Sequence, residues 1–127
     1  MSEAVLDASA LMAVFKGERG ATEVRRIMRK AVISAVNVSE VSAVLADSGL
    51  DGDEVREAIG AVRIAVIPFD QELALAAGQL RPVTRAYGLS FGDRACLALA
   101  FAFKVPAITA DRSWAKLSVG VPIQLIR

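Results

Sequence analysis

The feature that most restricts this chain is the alternation of short β-branched runs with longer segments of helical periodicity. Residues 4–6, 32–36, 63–67, 107–109 and 123–126 read as strands. Between them lie helical patterns at 10–15, stopped near Gly17, and at 21–31, where Val24, Ile27 and Met28 share one face among Arg25, Arg26, Arg29 and Lys30. A third pattern, 38–47, follows Asn37 as its cap, and a fourth, 51–61, opens with acids that suit a helix amino end. Residues 70–80 are Ala/Leu-rich, Pro82 breaks or restarts the next turn, and Ser90 caps a strong helix to Phe103. Strands separated by helices need crossover connections, so the expected fold is α/β: a three-layer α/β/α sandwich around a mainly parallel sheet of about five strands. With no linker-like stretch and no internal repeat, residues 1–127 are expected to form a single domain. In such sheets ligands bind beyond the carboxyl ends of the strands.

Composition then removes whole classes of chemistry. The chain has no histidine and one cysteine, which rules out a Ser-His-Asp relay, a histidine base, a His-containing or Cys₄ zinc site and an internal disulfide. Cys96, in an alanine-leucine run, reads as a small buried hydrophobe, and a chain without a possible disulfide suits the cytoplasm. The longest apolar run, 95–103, is too short for a membrane span, and no basic segment opens a signal peptide. Net charge is +1, with a mild basic excess in the second half that places Arg81, Arg85, Arg94, Arg112 and Lys116 near the motifs below.

Four acids fall where the crevice should be. Asp7 ends the first strand and Asp111 follows the fourth; each taken singly is also a common turn former or helix cap. Asn37-Val-Ser-Glu40 and Ser90-Phe-Gly-Asp93 both have the form of capping boxes. The helices carrying Glu40 and Asp93 start beside the same sheet edge, so four carboxylates are expected to meet there. Anions so gathered repel unless a cation joins them. A donor set of oxygen alone favours Mg²⁺ or Mn²⁺, and such an ion can activate water against a phosphodiester. A phospho-receiver also gathers acids and Mg²⁺ but needs a lysine at a strand end, and Lys16, Lys30, Lys104 and Lys116 do not fall at one.

These motifs resemble the PIN-domain nucleases, and within them the VapC-type toxins of bacterial toxin-antitoxin pairs. The resemblance rests on Val5-Leu6-Asp7-Ala8-Ser9, on Ser34 to Val41, on Gly88-Leu89-Ser90-Phe91-Gly92-Asp93-Arg94-Ala95 and on Ile108-Thr109-Ala110-Asp111-Arg112-Ser113-Trp114. It implies an endoribonuclease in which Asp7, Glu40, Asp93 and Asp111 form the Mg²⁺ or Mn²⁺ site, with Asp7 and Asp93 the more direct ligands. It places Ser9 and Thr109 as supporting hydroxyls, and Arg94 and Arg112 as candidate phosphate contacts. Some relatives carry another acid where this chain has Ser113, so a firmly held second metal is not expected. The resemblance also implies a homodimer and a VapB-type antitoxin whose C-terminal segment blocks the crevice. Two alternatives stay open: a PIN nuclease in RNA processing without an antitoxin, and a non-catalytic PIN-fold binding module. Trp114 is expected to cover the core, one of Phe101 and Phe103 to pack in an interface, and Leu11, Met12, Val14 and Phe15 to serve the core or a partner.

Overall fold

The structure, a computed structural model, describes residues 2–127. Its strands are β1 (Ala4–Leu6), β2 (Ala31–Ser34), β3 (Ala65–Ile67), β4 (Ala107–Thr109) and β5 (Ile123–Leu125). Its helices are α1 (Ala8–Lys16), α2 (Ala21–Ile27), α3 (Ala35–Asp47), α4 (Gly52–Ala61), α5 (Gln71–Gln79), α6 (Arg81–Thr84) and α7 (Phe91–Phe103), with 3-10 turns at Met28–Lys30, Arg85–Tyr87 and Arg112–Lys116. The strands pair in the order β3-β2-β1-β4-β5, every pair parallel.

Side-chain alternation along the strands builds a core on each face of the sheet. Ala4, Leu6, Ala31, Ile33 and Ile108 point into the layer of α1 to α4, where Leu11, Val24, Val41 and Val55 meet them. Val5, Val32 and Ala107 point the other way, against Cys96, Leu97, Leu99 and Ala100 of α7 and against Trp114. Each large apolar side chain so enclosed contributes about 1.5–3 kcal/mol relative to exposure. The result is the expected three-layer sandwich. Cys96 and Trp114 are fully buried, and of the α1 cluster Leu11, Met12 and Val14 belong to the core. Phe101 and Phe103 remain 62% and 39% exposed, so neither belongs to the buried core.

Three boundaries differ from the sequence expectation. The strand expected over 32–36 stops at Ser34, because the Ser34 hydroxyl accepts from the Val36 amide at 3.1 Å and starts α3 two residues earlier than a strand to 36 would allow. Asn37, expected as the cap, therefore lies inside the helix. The helix expected over 21–31 tightens into a 3-10 turn after Ile27, and Ala31 already belongs to β2. The strand expected from residue 63 begins at Ala65, because Arg63 takes a left-handed backbone (φ 57°) just after α4.

Two details close the sheet. Gly20 caps α2 at φ 97°, and a side chain there would come within 2.6 Å of the Ile126 carbonyl, so only glycine lets the chain end after β5 lie against it. The strand order also reverses direction between β1 and β4. The chain leaves β1 on one side and returns to β4 on the other, which opens a crevice at their carboxyl ends.

Candidate active site

Asp7 follows β1 directly and occupies the N-cap position of α1, yet its side chain does not cap the helix. It turns into the crevice instead. There its Oδ2 accepts from the Ser9 hydroxyl at 2.8 Å and from the buried Thr109 hydroxyl at 2.9 Å. Ser9 in turn accepts from the Ala110 amide at 2.9 Å and Thr109 from the Asp111 amide at 3.0 Å. Both hydroxyls lie within hydrogen-bond reach of the same carboxylate oxygen, and 3.1 Å from one another. Asp7 is 4% exposed. Burial, helped by the negative charge of Asp93 and opposed by the two hydroxyls, pushes its pKa up to about 6.

Glu40 stands in the second turn of α3, half-buried. Its Oε1 accepts at 2.8 Å from the side-chain amide of Asn37, one turn earlier, and the same nitrogen donates to the Gly92 carbonyl at 3.0 Å. The Glu40 carboxylate lies directly against Gly92, where an added methyl group would overlap it. Glycine at the second position of α7 thus lets the Glu40 carboxylate reach the first turn of the helix that carries Asp93. The sequence reading did not single out Asn37 or Gly92 as site residues; the available signal was Ser34, an equally good cap three residues before Asn37.

Asp93 does form the expected capping box. Its Oδ2 accepts from the Ser90 amide at 2.8 Å while the Ser90 hydroxyl accepts from the Asp93 amide at 3.2 Å. Burial and the charge of Asp111 nevertheless raise its pKa. Asp111 is exposed and caps the 3-10 turn after β4, its Oδ1 accepting from the Ser113 amide at 2.9 Å. The structural and chemical roles of these two acids therefore coexist. Beneath them, Cys96 has its thiol pKa raised well above the ordinary value, chiefly by burial and then by the charges of Asp7, Asp93 and Glu40. One buried thiol feels three carboxylates from three elements.

The hydrogen bonds to the four acids come from hydroxyls and amides of the chain and leave their negative charge without a cationic partner among the described residues. Among the described residues the ion pairs are Lys30–Glu3 and Arg127–Glu18, and neither reaches the site. Nor do three or more acids there stand together as a ready-made metal cage. Oxygen donors spread around a crevice fit a hard cation that keeps several of its waters, rather than one stripped and enclosed by protein. Of the two arginines, Arg94 is directed away from the crevice: its guanidinium donates to the Ala77 carbonyl at 3.1 Å and lies 5.9 Å from the Phe91 ring centre. Arg112 is exposed, next to Asp111.

The PIN domain family model matches residues 4–120. No curated protein sequence matches the chain. Several solved structures do share its fold. A toxin-antitoxin complex from Klebsiella pneumoniae superposes with a TM-score of 0.72 at 24% identity, covering 94% of this chain and 95% of that one. DNA-bound VapBC from Salmonella typhimurium gives 0.77 at 17% identity over 100% of both chains. VapC20 of Mycobacterium tuberculosis, described as a sarcin-ricin loop cleaving toxin, gives 0.72 at 18% identity, covering 94% of this chain and 99% of that one. No helix among the described residues is long and apolar enough to cross a membrane. A parallel sheet that delivers Asp7 and Asp111 to its switch point, and a family model that spans four of its five strands, make this chain a member of the PIN domain family.

Proposed function

We propose that this chain is a Mg²⁺- or Mn²⁺-dependent endoribonuclease that hydrolyses RNA phosphodiester bonds, and that it acts as the toxin of a VapBC-like pair. The observation that carries this reading is Asp7: a carboxylate buried at the switch point, crowded by a second acid and, among the described residues, paired with no cation. Asp7, Glu40, Asp93 and Asp111 are the residues that would hold the ion, as a set of hard oxygen donors. Such an ion, when bound, polarises a phosphoryl oxygen and makes a bound water nucleophilic near neutral pH.

The chain's own groups supply the rest. Ser9 and Thr109 hold one oxygen of Asp7 by hydrogen bonds, and the exposed Asp111 and half-buried Glu40 would bind the ion directly or through its waters. Arg112 is the candidate contact for the scissile phosphate; Arg94, engaged by α5 and Phe91, serves the fold instead. An apolar groove of about 570 Å³ between α1, α3 and α4, lined by Met12, Phe15, Val44 and Leu50, offers a seat for an antitoxin. The structural neighbours seen in toxin-antitoxin complexes support that partner, and a homodimer acting in the cytoplasm completes the proposed reading.

The test is sequencing of RNA ends after expression of the parent chain and of Asp93→Asn. New RNA ends should arise with the parent and vanish with the variant, and growth arrest should follow the same pattern. Identical end profiles for both proteins would remove the nuclease reading and leave a binding module. Arrest that no neighbouring small gene relieves would instead identify a PIN nuclease without an antitoxin.

A further inference from the structure

Inside the core of α3 sits a polar side chain that the helix itself does not need. Asn37 is completely buried, although Ser34 already caps α3. Its amide nitrogen has two hydrogens and two acceptors, the Glu40 carboxylate on its own helix at 2.8 Å and the Gly92 carbonyl on α7 at 3.0 Å. Turning the amide over would set its oxygen against both acceptors, so the orientation is determined. The outcome is costly for the fold, because among the described residues the buried Asn37 Oδ1 finds no partner. An apolar residue of the same shape would avoid that loss. It would also release Glu40 from α7.

We propose that Asn37 is a positioning residue: by bridging Glu40 to the first turn of α7, it holds the Glu40 carboxylate at the spacing from Asp93 that binding of a divalent cation requires. The inference rests on the metal-site reading above. It adds that the distance between two of the acids is set by a buried amide rather than by the acids. Gly92 is the other half of the device, since its missing side chain is what lets the carboxylate reach the helix. Hydrogen-bond partners of ligating carboxylates typically influence metal affinity 10–100-fold.

The experiment is Mn²⁺ binding to the full chain, followed by electron paramagnetic resonance, with thermal melting in chelator alongside. Asn37→Leu removes both donors and the orphaned oxygen but puts a larger side chain in a closely packed site. We expect it to melt near the parent's temperature in chelator while binding Mn²⁺ about 10–100-fold more weakly. Asn37→Ser, smaller and unable to span the gap, should weaken binding similarly and serves if the leucine variant does not fold. Coupling identifies the route: in a Glu40→Gln background, Asn37→Leu should have no further effect on Mn²⁺ binding. Parent-like Mn²⁺ affinity in both Asn37 variants, with Glu40→Gln weakened, would overturn the positioning role and leave the metal site standing. A parent chain that binds no Mn²⁺ would overturn the metal site itself.

Discussion

At the scale of single residues, Asp7 concentrates the cost of the site. Its folded pKa of about 6 lies above the ordinary value of 3.8, so the folded protein holds this proton more tightly than the unfolded chain. The associated stability is therefore fully present below about pH 3.8 and is lost as pH rises through about 6. At neutral pH the loss amounts to about 3 kcal/mol. In chelator, Asp7→Asn should accordingly melt higher than the parent at pH 7.5, with the gap closing as the pH falls toward 4. Melting curves for the two proteins across that range check this, and a gap independent of pH would contradict it. Asp7 and Asp93 could be picked out of the sequence because each follows a strong local signal, a strand end and a serine cap. Arg94 could not be placed: adjacency to Asp93 suggests a phosphate contact, but one helical step turns its side chain toward Ala77 and Phe91.

At the scale of elements, α7 shows how a local motif delivers a reactive group. The Ser90 box ties Asp93 back to the start of the helix and so points it across the crevice, while the buried run Ala95 to Ala100 drives the same helix onto the sheet. Ser90→Ala should cost about 1 kcal/mol in urea unfolding, as loss of a helix cap does. Mn²⁺ affinity should change little, because the Ser90 backbone amide that holds Asp93 survives the substitution. A large loss of metal affinity in this variant would assign the hydroxyl a place in the site. The start of α3 illustrates the opposite case. Ser34 and Asn37 are both good caps in isolation, and the selection of Ser34 follows from burial of Asn37 against α7, a contact 55 residues away in the chain.

For the whole molecule, the arrangement stores repulsion that a cation can relieve. Mg²⁺ should therefore raise the parent's melting temperature in proportion to the logarithm of its concentration, reaching about 2.7 kcal/mol of stabilisation at a hundredfold excess over the dissociation constant. Asp93→Asn should lose most of that response. Equal responses in parent and variant would count against a metal at this crevice.

The α/β class, the approximate place of every strand and the positions of the four acids were all contained in local pattern, because strand alternation, helix periodicity and caps act over a few residues. The order β3-β2-β1-β4-β5 was not. It depends on which strand faces find apolar partners across the sheet, and this order sets Asp7 beside Thr109 at the end of β4, two residues before Asp111, and creates the crevice. Packing of α3 on α7 likewise turned Asn37 from an expected cap into a buried bridge. Chain-local chemistry selected which groups could react, and long-range packing decided which of them meet.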